Sequence, residues 1–292
     1  MKKTVILCLM LTVAVFSHGQ YSKEASVLID RAAGGDGDAE WELAMRHIKG
    51  EGVPRHYYLA MHWMAQAYHD GQEKRVKDFF RSIARCDRRN PHYAFMAYMK
   101  GNVYYLCCEE PSVAALWYSR ADAAGDIPEA RTMYCMSYCN FLKPVEGAQQ
   151  EIRRLVALRK EASLKDPLML TLEANALYEK GDTATAFRLW QTASDAGMPL
   201  ADDRMGQAYL TAKGKYYDVV KAVRHFQRAD RMKMLDAHKL YSLCHEHGLG
   251  GLKKDTDMAA RIMRREEESM RMTYLLDVIN EEDLLKTAPV KK

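Results

Sequence analysis

The sequence predicts an all-α protein: an α-solenoid, a right-handed superhelix of antiparallel helix pairs with about six repeats. Three observations lead there. One stretch, residues 33–71, shows a complete helical hairpin. Alanines recur down the chain at a near-constant step. The segments leading into successive hairpins also rhyme.

The first hairpin defines the unit. Asp36 suits a helix N-cap, where its carboxylate accepts from backbone N–H groups that lack intrahelical partners. From Ala39, apolar residues recur at Leu43, Ala44 and His47/Ile48, one helical face. Gly50 and Gly52 can take the left-handed backbone that stops a helix, and Pro54 cannot continue one. A second helix then carries Ala60, Trp63, Ala67 and Gly71, small residues for close approach around one large one.

The alanine opening each second helix marks the repeat: Ala25, Ala60, Ala114, Ala186, Ala222 and Ala259, with a degenerate copy near Gln150. The step stays close to 36 residues except between Ala60 and Ala114, where it is 54. Three places on stands a large residue (Leu28, Trp63, Trp117, Leu189, then His225 and Ile262), and seven on stands Ala32, Ala67, Ala121, Ala193 or Ala229. First helices have their own marker at Ala39, Ala94, Ala130, Ala201 and Ala237. In the lead-ins at 124–130 and 196–201, Pro128 and Pro199 fall in a first turn, where a missing N–H costs least. Asp126 and Glu129 have the spacing of a capping box. The long step holds Val76, Phe79, Phe80, Ile83 and Cys86 on one stripe, so residues 72–90 predict an inserted helix. The copy near Gln150 has Arg153 where the large residue belongs, and the last copy has Glu266 in place of alanine.

Gly35-Asp36, Ala39, Leu43-Ala44, Gly50-Glu51-Gly52-Val53, Ala60, Trp63, Ala67 and Gly71 together resemble the Sel-1-like repeat, a relative of the tetratricopeptide repeat. His47 departs from that pattern, which more often has Tyr there, as does Ala44, where Gly is common. The resemblance implies a protein-binding helical scaffold. A hydrolytic activity has been attributed to cysteine-rich members, so it also implies, as an alternative, a cell-envelope enzyme or enzyme partner acting on β-lactams or peptidoglycan. No S-x-x-K, G-x-S-x-G, H-E-x-x-H, Walker or G-x-G-x-x-G motif accompanies it. The expectation is therefore no enzyme, no cofactor and no catalytic residue. A structural spacer is the remaining alternative.

The domain reading is a signal peptide over 1–19, a repeat domain over 20–270, and a C-terminal capping helix and tail over 271–292. Lys2 and Lys3 precede an apolar run from Val5 to Phe16, then Ser17-His18-Gly19 and a cut before Gln20. Twelve residues do not span a bilayer. This predicts export to the periplasm or beyond; the rival is a buried N-terminal helix. A lipoprotein needs a small residue before Cys8, where Leu7 stands. Leu275, Leu276, Val278, Ile279, Leu284 and Leu285 give the last helix an apolar side suited to closing the solenoid's end. The tail TAPVKK is expected to be mobile.

With 43 Lys and Arg against 39 Asp and Glu, and two lysines leaving with the leader, the mature chain carries no footprint for nucleic acid. No later stretch is long and apolar enough to insert in a membrane. Cys86, Cys107, Cys108, Cys135, Cys139 and Cys244 remain after cleavage. They read as core thiols, with a bridge from Cys107 or Cys108 to Cys135 or Cys139 open. His245-Glu246-His247 is not a metal pair, because residues two apart on a helix face different sides; His245 falls on the position of Tyr138 and Tyr209, a packing position.

A partner, a protein or peptide segment, is expected on the concave face. Two, six and ten residues past each first-helix alanine give Trp41, Met45, Met96, Lys100, Tyr104, Thr132, Met136, Asp203 and Gln207. Trp41 either anchors the partner or packs on the preceding helix near Leu28.

Overall fold

The computed structural model describes residues 21–143, 145–212, 214–264 and 271–285, and every regular element among them is helical. A lone helix α1 (Lys23–Ala33) leads into the first hairpin, α2 (Gly37–Lys49) and α3 (Tyr57–Ala67), and then the inserted α4 (Glu73–Ile83). The second hairpin is α5 (Tyr93–Asn102) with α6 (Pro111–Gly125), the third α7 (Pro128–Leu142) with α8 (Gln149–Ser163), the fourth α9 (Pro167–Glu179) with α10 (Thr183–Asp195). The fifth is α11 (Pro199–Thr211) with α12 (Val219–Arg231), and the sixth α13 (His238–His247) with α14 (Thr256–Arg264); α15 (Arg271–Glu281) follows. Consecutive helices pack in adjacent pairs, an all-α solenoid. The leader at 1–19, Glu266 and the tail after Leu285 lie outside the described residues.

Local chemistry sets the helix ends. Asp36 caps α2, accepting from the N–H groups of Asp38 and Ala39 at 3.1 Å each, and Gly50 ends it at φ +78°. Pro128 and Pro199 open α7 and α11. The marker alanines share one environment: Ala60, Ala114, Ala186 and Ala222 are fully buried and Ala259 nearly so. The ring one place beyond the large residue also repeats. Tyr118 lies against Gly101 and Phe226 against Gly206, so closely that an added Cβ on either glycine would stand 2.5 Å from the ring. The predicted insert is α4, with Val76, Phe80 and Ile83 buried.

Two expectations are corrected, and the cysteine pairing left open resolves to free thiols. Asp126 and Glu129 form no capping box: Asp126 ends α6 in the left-handed region (φ +48°) and pairs with Arg131, while Glu129 Oε1 accepts from the Tyr57 N–H at 2.7 Å. The six cysteines are all free thiols. Burial pushes the Cys135 thiol up to about 11, so it behaves as a small apolar side chain. Finally, α15 does not close the last hairpin. It packs on α3 and on residues 103–107 beyond α5, with Glu282 paired to Lys77 at 2.6 Å. Its apolar side is covered there: Leu275, Leu276, Ile279, Leu284 and Leu285 are buried.

A repeat in an open solenoid touches only its neighbours. Here the N-terminal segment touches the lead-in loops of four later helices. Arg55 donates to the carbonyl of Gly125 before α7, His56 lies 3.6 Å from Asp166 before α9, and the Tyr21 hydroxyl donates to Gly197 before α11. Before α13, His62 Nε2–H donates to the Met232 carbonyl at 2.9 Å, and Lys233 pairs with Glu40 at 2.6 Å and Asp70 at 3.0 Å. Arg231 at the end of α12 pairs with Asp30 in α1. The chain has wound back on its own start. Every residue of α3 except Tyr58, and every residue of α5, is buried. The inside of the superhelix is filled by the first two hairpins.

Candidate functional site

The nine residues predicted for the concave face fall into three groups. Six serve the fold. Trp41 (7 % exposed) meets Phe79 of α4 edge-on, 5.4 Å between centroids, under the Arg75 guanidinium at 4.9 Å. It therefore packs against the insert. Met96 and Thr132 are core, and Met45 packs against the core from its edge. Asp203 is fully buried because it holds the next helix's lead-in, accepting from the N–H groups of Asp236 and Ala237. Gln207 supports it, donating to Asp203 Oδ2 at 2.6 Å. Trp41, Met96, Thr132 and Asp203 are therefore buried rather than facing an open groove.

Lys100 and Tyr104 line a pocket of about 230 Å³ where α15 meets the second hairpin. Met136 lines a different and more open space, a trough of about 400 Å³ between α7, α8 and α9. This trough exists because the third and fourth hairpins part company: α8 and α9 barely touch, while the helices within each hairpin pack closely. Val156 of α8 and Leu172 of α9 face it at 55 % and 46 % exposure, with Met136 and Met169 beside them. Arg159 and Lys160 stand on the α8 side and Glu173 on the α9 side. No ion pair holds Arg159 or Lys160 among the described residues. An apolar floor with two uncommitted cations beside it attracts an apolar segment that carries a carboxylate.

A cleft of about 410 Å³ lies between α1 and the fifth hairpin. Asp202 Oδ1 there accepts from Ser194 Oγ at 2.9 Å and His225 Nδ1–H at 2.8 Å, with Arg228 at 3.3 Å. The residue types evoke a hydrolase, but the order does not. Serine and histidine both donate to the aspartate, so no base faces the serine. The cluster instead ties α10, α11 and α12 together beside the Tyr21 phenol, whose pKa burial pushes far above its usual value.

Buried histidines and acids crowd the N-terminal hub. Burial pulls the His47 imidazole down to about 3, so it is neutral, its Nδ1–H donating to the Pro54 carbonyl at 2.8 Å. Burial likewise pulls down on His56, but Glu129 and Asp166 outweigh it and leave its pKa raised. Glu40, fully buried, is pushed up to about 7 by desolvation despite Lys233. His245 is buried edge-on to Tyr241, 4.8 Å between centroids. The described residues hold no group of three or more potential metal ligands.

The chain is similar in structure to a Sel1 repeat protein from Oxalobacter formigenes, at 19% identity over 86% of this chain and 78% of that one, with a TM-score of 0.45. It is also similar to c5321, a protective antigen present in uropathogenic Escherichia coli strains displaying an SLR fold, at 16% identity over 89% of this chain and a TM-score of 0.41. The chain spans 52% of that antigen's length. No protein-family model matches the sequence, and no curated protein matches it.

Proposed function

We propose that the mature chain is an exported, periplasmic or secreted, interaction scaffold that holds an apolar, acid-bearing peptide segment in the trough between α7, α8 and α9. The observation that carries this reading is the parting of the third and fourth hairpins. Other large apolar side chains among the described residues, such as Val27, Leu106 and Leu116, are also exposed, but here two from facing helices share one trough. At this place Val156 and Leu172 stay open beside Arg159 and Lys160. Covering either side chain returns on the order of 1 kcal/mol. The two cations select against basic segments. Export rests on the leader at residues 1–19, and its check is a mature N-terminus at Gln20 in the exported fraction.

The binding test is a displayed library of short peptides selected on the full mature chain. Selected peptides are expected to combine two or three apolar residues with an Asp or Glu, and to be lost on Leu172→Glu. Peptides without acidic residues, or peptides retained by Leu172→Glu, would contradict the proposal.

A further inference from the structure

Lys100 sits in α5, a helix buried on every side, and is itself only 4 % exposed. Among the described residues its one hydrogen bond is long, 3.4 Å to the Ala84 carbonyl. The ammonium lies 4.7 Å over the Trp117 ring, and the Arg120 guanidinium lies 4.5 Å from the same ring. Among the described residues no carboxylate pairs with Lys100. Asp283, itself partnered, borders the same pocket. Burying an ammonium costs more than a cation–π contact returns. A methionine at this position would keep most of the packing at no such cost. The free protein is thus left with an under-compensated cation, and the chemistry that would compensate it is an anion.

The space beside Lys100 is shaped for more than an inorganic ion. Tyr104 and Trp117 line it from the second hairpin, and Ile279, Asn280 and Leu285 from the C-terminal segment. Its walls are mainly aromatic and aliphatic; Asn280 contributes a neutral amide, and the partnered Asp283 stands at its border. A dry apolar cavity of roughly 150 Å³ holds benzene, so the 230 Å³ here accommodates one ring or one branched aliphatic group with a carboxylate attached.

We propose that this pocket binds a small monocarboxylate, its carboxylate on Lys100 and its apolar body among Trp117, Tyr104, Ile279 and Leu285. Two sources share this chemistry: a free aromatic or branched aliphatic acid, and the carboxyl-terminal residue of a peptide. Because half of the pocket comes from α15 and the residues after it, occupancy also fastens the C-terminal helix to the second hairpin. The site lies apart from the α7–α9 trough and does not depend on the function proposed for it.

The test uses the full mature chain and titration calorimetry with phenylacetate, its neutral isostere phenylacetamide, and N-acetyl-glycyl-phenylalanine with a free or amidated end. Phenylacetate is expected to bind at least about tenfold more tightly than the amide, since a charged hydrogen bond is lost with the carboxylate. Lys100→Met is expected to abolish that preference while leaving the protein folded, with an unchanged or raised Tm. Hydrogen exchange across 271–285 is expected to slow on phenylacetate addition. Tighter binding of the free-ended dipeptide assigns the site to chain ends, and its exclusion assigns the site to free acids. The proposal is overturned if acid and amide bind alike, if neither binds at millimolar concentration, or if Lys100→Met retains the preference. The acid–amide comparison is made on the unmutated protein, so it stands whatever the variant does.

Discussion

The helices α3 and α8 are both second helices of repeats, separated by two turns of the same pattern, yet they meet opposite fates. The sequence of α3, YYLAMHWMAQA, contains no Asp, Glu, Lys or Arg, and ten of its eleven residues are buried. That of α8, QQEIRRLVALRKEAS, is charged on most sides and buries only Leu155 and Ala162. A helix with no polar face belongs in an interior, and one with a narrow apolar stripe belongs at a surface. The lesson is that the repeat step reports how helices pair, whereas the breadth of each helix's apolar surface reports where the pair ends up. The first hairpin became the hub and the third became the open edge.

Substitutions at equivalent repeat positions sharpen this contrast most. Trp63→Ala empties a fully buried site in α3 and is expected to cost about 3–5 kcal/mol in urea denaturation. Arg153→Ala, at the matching place in the exposed α8, is expected to stay within about 0.5 kcal/mol. Equal losses would mean that the two helices are not distinguished by burial.

Next in size are the glycines beneath the repeat rings. Gly206→Ala forces a Cβ to 2.5 Å from Phe226, and the expected loss is about 1–3 kcal/mol. Gly101→Ala against Tyr118 should behave alike. A neutral outcome at both would show that the helices are not held at that distance.

A smaller effect concerns the seam that closes the hub. Glu40 titrates near 7 in the folded chain, above its ordinary 4.5. The folded state therefore holds a proton that the unfolded state has released. The associated stability is complete below about 4.5 and is lost as pH rises through 7. Glu40→Gln is expected to flatten that part of the stability profile, while Glu151→Gln on α8 leaves it unchanged. The smallest expected change is Leu172→Glu, whose effect on stability stays within about 0.5 kcal/mol even as peptide binding in the trough is lost.

Much of this architecture was legible in the residues. The alanine step found the second helices, Asp36 and Gly50 marked the ends of α2, and the stripe from Val76 to Ile83 gave the inserted helix. What could not be read was closure. The offsets that placed Trp41, Met96, Thr132 and Asp203 on an open groove assume that each hairpin meets only its neighbours. Contacts such as His62 to Met232, 170 positions apart, obey no period. One signal was present: the lack of charge in residues 57–67, and the single lysine in 93–102, mark helices with no side to give to water. Glu129 shows the same limit locally, since its spacing from Asp126 suited a cap while its partner was the distant Tyr57 N–H.

The central claim is that the first two hairpins fill the superhelix and that the first is held by the loops of later repeats. Native-state hydrogen exchange tests it most directly. The account predicts that amides of α3 exchange only through global unfolding, the slowest in the chain, while those of α8 open locally at far lower free energy. Exchange of α3 as fast as that of α8 would contradict it.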